Sequence, residues 1–264
     1  MRAMTPDPRH PDLLSLKADH TPRAIARRLR HGHRPRFYLK DFVYGALDGT
    51  VTTFAVVAGV AGAKLSAGIV VVLGLANLVG DGFSMAVGNY QGTKAEEELR
   101  QLHRRIEADH IDRYPDGERE EVRQIFAAKG FDGEDLERAV TQITADRERW
   151  IDTMLTDELG LALEGPDPVK AAWTTFVSFF FVGALPLLAF IYQIAAPQTA
   201  RLADPFVISS AMTGLAFFVI GAIKSRFVSG RWWTSGLETL LMGGVAAALA
   251  YAVGALLRGL VDTA

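Results

Sequence analysis

The 264-residue chain contains no cysteine. That excludes disulfides, thiolate metal sites and cysteine nucleophiles. Any metal it binds must take carboxylate, imidazole, thioether or carbonyl donors. Also missing are a phosphate-cradling glycine loop, a nucleophile elbow and an HExxH pair, so the chain reads as a non-enzyme with no bound cofactor. The segment Met1 to Arg36 has no apolar stretch of the kind a secretory leader needs, being polar, basic and punctuated by proline. Insertion into a membrane is therefore expected to be directed by the membrane helices themselves.

Averages of 49% hydrophobic and 22% charged residues, with a net charge of −2, conceal two populations. One consists of apolar runs almost free of charge, the other of a central block dense with it. The stretch Tyr44 to Tyr90 holds two apolar runs separated only by Gly62, Ala63, Lys64, Leu65 and Ser66. At about 1.5 Å of rise per residue, each can cross a hydrocarbon layer about 30 Å thick. Spans are predicted at about 41–62 and 66–92, and three more at about 170–195, 205–223 and 236–257, with a kink at Pro186 in the third. The fold class is an all-α membrane protein of five transmembrane helices, with a helical insert between the second and third. Its parts are a basic N-terminal segment (1–36), transmembrane helices 1 and 2 (37–92), the insert (93–169) and transmembrane helices 3 to 5 (170–264).

Residues 1–20 read as a loosely docked tail. Thr21-Pro22 opens a basic helix expected to lie on anionic headgroups rather than on nucleic acid. The insert places apolar residues at three-four spacing, among them Leu102 and Ile106, Val122 and Ile125, Val140 and Ile143, and Ile151 and Met154. Breaks fall at Tyr114-Pro115, Lys129-Gly130 and Thr144-Ala145-Asp146, so it is a small domain of amphipathic helices, the first continuing out of the second membrane span. Basic residues gather in the N-terminal segment and in KSRFVSGR (224–231), on the same side as the insert. That side is expected to be cytoplasmic, with the C-terminus opposite.

Two acids, Asp48 and Asp81, stand inside the first two runs. A charge there costs about 2.5–3.5 kcal/mol on insertion scales unless it meets a cavity, a partner or an ion. One reading places Asp81 near the far interface and gives Asp48 a packing role; the other is an ion path, with Met85 one turn beyond Asp81 as a soft donor. In the insert, Glu107 with His110 and Glu118 with Glu121 stand at i, i+3, and Met154 with Glu158 at i, i+4. Each pair taken alone is ordinary surface charge, whereas together they offer oxygen donors, one imidazole and one thioether suited to Fe²⁺, Mn²⁺, Co²⁺ or Zn²⁺. His103 precedes Glu107 by four residues and could join them. Glu96, Glu97 and Glu98 read as solvated and neutralised by Arg100, Arg104 and Arg105.

The stretches YGALDGTVTTFAVVAG and ANLVGDGFSMAVGNY, the carboxylate-rich insert and its ending WIDTMLTDELGL resemble the vacuolar iron transporter family over about residues 38–258. The resemblance implies a homodimer of five-span subunits that moves Fe²⁺, and often Mn²⁺, out of the cytoplasm in exchange for protons. It implies that Asp48 and Met85 line the membrane path at the dimer interface. It also implies that Glu107, His110, Glu118, Glu121, Met154 and Glu158 hold metal in the insert. His110 stands where the family commonly has Glu, and Leu155 where a second Met often follows Met154; both departures favour weaker binding and room for Zn²⁺. Two competing readings are a membrane-anchored di-iron oxidase and a metal-gated channel. The oxidase would need a second Glu-x-x-His beside Glu107 and His110, and the insert has only one.

Overall fold

The computed structural model describes residues 16–18, 20–31, 38–200, 202–225 and 230–261. The tail expected at 1–20 lies almost wholly outside the described residues, as do 32–37 of the basic segment and 226–229 of the last connection. The described residues form helices with no strand: α1 (Pro22–His31), α2 (Leu39–Gly62), α3 (Ala67–Arg113), α4 (Pro115–Ala128), α5 (Gly133–Thr144), α6 (Arg147–Thr153), α7 (Pro168–Gly183), α8 (Leu185–Ala195), α9 (Pro205–Ser225) and α10 (Trp232–Val261). Thr21 caps α1, its hydroxyl accepting from the Ala24 N–H at 3.3 Å, with Pro22 at the first helical position.

Four helices, α2, α3, α9 and α10, are long and apolar enough to cross a membrane. The pair α7 and α8, bent by 47° at the Gly183–Leu185 break, makes a fifth candidate when the two are taken as one broken span. Pro186 cannot donate the backbone hydrogen bond a straight helix would need there, so the predicted kink is present. The Ser209 hydroxyl of α9 donates to the Pro186 carbonyl at 2.6 Å and holds the bend from outside. Helix α2 sits centrally, packed on α7, α10, α3 and α9. A Cβ at Gly49 would stand 2.9 Å from Phe179 Cα, and one at Gly183 2.7 Å from the Gly49 carbonyl oxygen. Glycine is what lets α2 and α7 touch backbone to backbone. The bundle core is Phe54, Val57, Val70, Leu78, Phe179 and Leu187 with their neighbours.

Helix α3 runs for 47 residues, about 70 Å, without interruption. Its first part crosses the bundle and its last part forms the first wall of the insert, as the sequence led us to expect. It stops where Pro115 follows Tyr114, a residue held at φ −142°, ψ 64°, outside the helical region. Helices α4, α5 and α6 then fold back on it around Ile111, Val122, Val140, Trp150, Ile151 and Met154. Ion pairs stitch α6 to α3: Arg104 reaches Glu148 at 2.5 Å and Asp152 at 2.8 Å, and Arg147 reaches Asp112 at 2.6 Å. This changes one expectation. Arg104 does not neutralise Glu96–Glu98; Lys94 pairs with Glu98 at 3.7 Å, and Gln101 donates to Glu97 at 3.2 Å.

Candidate metal centre and ion path

The last turns of α3 and the first turns of α4 meet at a right-about corner, and three donors converge there. Glu107, His110 and Glu118 each offer one atom within 4.8 Å of the others. Glu107 and Glu118 are buried, at 5% and 6% exposure, whereas His110 is half open to solvent. The i, i+3 step between Glu107 and His110 puts both on one face of α3, and Pro115 turns the chain so that Glu118 faces them. His110 Nδ1 lies 3.3 Å from Glu118 Oε1. The other oxygen, Glu118 Oε2, is buried without a hydrogen-bond partner. An unsatisfied buried carboxylate oxygen costs about 1–3 kcal/mol or more, so its neighbours must compensate or a cation must.

The electrostatics agree. Burial pushes the Glu118 carboxyl up to about 7, helped by Glu121, Glu107 and Glu158 and opposed by His110. Burial also raises Glu107, with His110 opposing and Glu121 adding to the rise. Glu158 is raised by desolvation, then by Glu121 and Glu107. The charges of Glu121 and Glu158 therefore act on the trio, while the donor atoms that converge are those of Glu107, His110 and Glu118. Clustered acids that hold protons bind a divalent cation at the cost of releasing them. Met154 is different: its side chain is wholly buried in the apolar core of the insert, in a π-helical turn (Met154–Glu158) that continues α6. Packing accounts for its place. His103 lies near enough to Glu107 to influence its charge.

In the bundle, Asp48 on α2 and Asp81 on α3 are close enough for their charges to interact. Thr52 donates to the Asp48 carbonyl at 2.9 Å, and Asn77 of α3 donates to Thr52 and Thr53 at 3.2 and 3.3 Å, tying the two helices beside the acid. Met85 lies one turn nearer the insert and lines a cavity of about 360 Å³ with Lys40, Asp41, Tyr44, Asn89 and Thr175. The sequence reading missed this cavity. Asp41 is 6% exposed; Asn89 donates to Asp41 Oδ1 at 2.9 Å and to Thr175 at 2.7 Å, and Thr93 donates to Asn89 at 3.5 Å. The signal that could have found it is a set of polar residues, Asp41, Asn89 and Thr175, each just inside the insert-side end of an apolar run, with Thr93 one residue past the second run.

Helix α3 carries residues of both candidate sites. Asp81, Met85, His103 and His110 fall within about 40° of one another around an ideal α3, and Glu107 is about 33 Å from Met85 along it.

A helical bundle with four or five candidate membrane spans, two acids between its first long helices and a carboxylate–imidazole corner on its insert defines an all-α membrane protein with a candidate cation site. The model of the VIT family matches residues 39–255, and the chain belongs to that family. It is 34% identical over 232 residues to a vacuolar iron transporter of Toxoplasma gondii, covering 86% of this chain and 77% of the relative. It is 31% identical over 230 residues to vacuolar iron transporter 1 of Oryza sativa subsp. japonica, covering 84% and 88%. With vacuolar iron transporter 1 of Arabidopsis thaliana it shares 31% over 216 residues, 81% and 83% of the two chains.

Proposed function

We propose that the protein transports divalent iron, and Mn²⁺ with it, out of the cytoplasm in exchange for protons. The relatives carry the name iron transporter. The observation that carries the reading is the Glu107–His110–Glu118 corner, two of whose donors, Glu107 and His110, stand on the same continuous helix as Met85 and Asp81. The corner collects hydrated cations at the insert, with Glu121 and Glu158 adding charge and Met154 adding sulfur if its turn opens. Asp48 and Met85 then hold the ion within the bundle. An unpaired carboxylate in a membrane is costly, so Asp48 releases metal most readily by taking a proton in its place. That exchange is the chemical basis of antiport.

A homodimer is part of this reading. On α3, Gly80, Ser84, Gly88 and Gly92 form an exposed stripe at four-residue spacing, and a Cβ at Gly80, Gly88 or Gly92 would meet nothing within 4 Å. Small residues with an open approach suit close packing against a second copy. The stripe adjoins Asp81 and Met85, so a second copy would close the path from that side. The basic end of the bundle, with the insert, faces the cytoplasm. His110 brings an imidazole to the corner and widens its range to Zn²⁺ and Co²⁺.

The test is Fe²⁺ uptake into proteoliposomes under an imposed pH gradient, with Asp48→Ala as the comparison. Uptake against its concentration gradient, lost when the pH gradient is collapsed and lost in Asp48→Ala, supports the reading. Uptake indifferent to the pH gradient makes the protein a channel, and oxidation of Fe²⁺ without uptake makes it an oxidase.

A further inference from the structure

Around α3, roughly half a turn from Asp81 and Met85, lies a face of opposite character. Phe83, Val87, Tyr90 and Lys94 recur there at spacings of four, three and four. Together with Ala172, Trp173 and Phe176 of α7, the first three of these border a cavity of about 390 Å³ on the outside of the bundle, with an almost wholly apolar lining. Phe83 and Trp173 are 65% and 62% exposed. The Trp173 and Phe176 rings meet edge to face at 6.0 Å and form a firm wall. This groove borders the small-residue stripe along Phe83 and Val87, which stand three residues beyond Gly80 and Ser84, and its lining holds none of the donors discussed above.

Its depth and its rim say what fits. Tyr90 and Trp173 stand at the insert end of the bundle, as do Trp232 and Trp233 at the start of α10. Aromatic residues of this kind mark the level of lipid headgroups. The apolar groove runs from that level into the hydrocarbon. One turn above it, on the same face, Lys94 holds its ammonium 5.9 Å from the Tyr90 ring centre. Its pairing with Glu98 is long and open to solvent at both ends, and such pairs hold weakly. Lys170 opens the other wall three residues before Trp173. It is exposed, and its ammonium has no ion-pair partner among the described residues. The nearby Asp167 carboxylate is occupied in capping α7, accepting from the Lys170 backbone N–H at 2.9 Å. Two cations above an apolar slot complement one molecule: an acyl chain with an anionic phosphate at its head.

We infer that the α3–α7 groove is a binding site for an anionic glycerophospholipid of the insert-side leaflet. One acyl chain lies along Phe83, Val87, Trp173 and Phe176, and the phosphate rests between Lys94 and Lys170. The bound lipid bridges α3 and α7, the two helices that also hold Asn89 and Thr175.

Native mass spectrometry of the full-length, delipidated protein in detergent tests the site, with phosphatidylglycerol and phosphatidylcholine offered at equal concentration. Each lysine near an anionic headgroup strengthens binding about fivefold, so with two lysines phosphatidylglycerol is expected to be retained about 25-fold over phosphatidylcholine. In Lys94→Gln/Lys170→Gln the preference falls to near one. Lys64→Gln, at the other end of the bundle, leaves it unchanged and controls for non-specific charge loss. Equal retention of both lipids, or a preference that survives the double substitution, overturns the proposal. Because the chain has no cysteine, Trp173→Cys, on the α7 wall and not on the helix that carries the stripe, supplies a second readout in lipid vesicles. Disulfide-linked dimers through position 173 would show that a second copy covers the groove and would also overturn it.

Discussion

Glutamine at position 118 keeps the volume of the glutamate and removes a charge from the most crowded carboxylate in the insert. Burial, with Glu121 and Glu107 beside it, raises the Glu118 carboxyl from 4.5 to about 7 in the closed insert. When the insert opens, the group returns to its ordinary value. Below about pH 4.5 it is neutral in both forms and costs nothing. As pH rises past 4.5, the open form ionises while the closed form keeps its proton, and the closed form loses relative stability until about pH 7. Above that the loss is constant, at about 3 kcal/mol. The metal-free insert of Glu118→Gln should therefore be harder to open than the wild type by up to about 3 kcal/mol at pH 8, and by under about 1 kcal/mol at pH 5. Hydrogen exchange of peptides covering about 103–125, in full-length protein with a chelator, reads the difference after correction for intrinsic exchange. Added Mn²⁺ or Zn²⁺ should then protect the wild type and leave Glu118→Gln nearly unchanged. Equal protection of the two proteins at pH 8 without metal, or a larger gap at pH 5, would refute the reasoning.

Other substitutions probe other links. His110→Glu replaces a nitrogen donor with an oxygen and is expected to shift competitive loading of the insert from Zn²⁺ toward Mn²⁺ by about tenfold, read by competition titration of the whole protein. Asn89→Leu strips Asp41 of its partner in a buried setting; a loss of about 1–3 kcal/mol is expected, seen as a lower unfolding temperature in detergent, with Asn89→Gln less damaging. Gly49→Val drives a side chain into the Phe179 backbone, so α2 and α7 separate and the protein loses about 1–3 kcal/mol or fails to elute as a single species on size exclusion.

The path of the chain was largely readable because its signals are local. Apolar run length set the spans, and proline set two of the breaks: the Pro115 corner that brings Glu118 to Glu107, and the Pro186 bend. Continuity of α3 followed from the absence of any helix breaker between Gly68 and Arg113 other than glycines, which a membrane helix tolerates. What escaped depends on contacts between distant segments. Asp41 looked like an ordinary residue at a helix start until Asn89 and Thr175, 48 and 134 positions away, were seen around it. Arg104 sits beside three glutamates in sequence, yet α6 presents better-placed partners in space. Met154 carries a donor atom, but the same i, i+3/i+4 spacing that puts it near Glu158 also turns it into the core with Ile151 and Val122. A sulfur-bearing apolar residue serves either end, and its neighbours on other helices decide.

The central claim is that the insert and the bundle act in sequence on one cation. Initial rates of gradient-driven Fe²⁺ uptake across a range of Fe²⁺ concentrations test it, in wild type, Glu107→Gln/Glu118→Gln and Asp48→Asn. A collecting centre that feeds the membrane path predicts a raised KM with nearly unchanged maximal rate for the insert variant, and a collapsed maximal rate for Asp48→Asn. If the insert variant keeps the wild-type KM, or Asp48→Asn keeps the wild-type maximal rate, the two centres do not serve one path and the account is wrong.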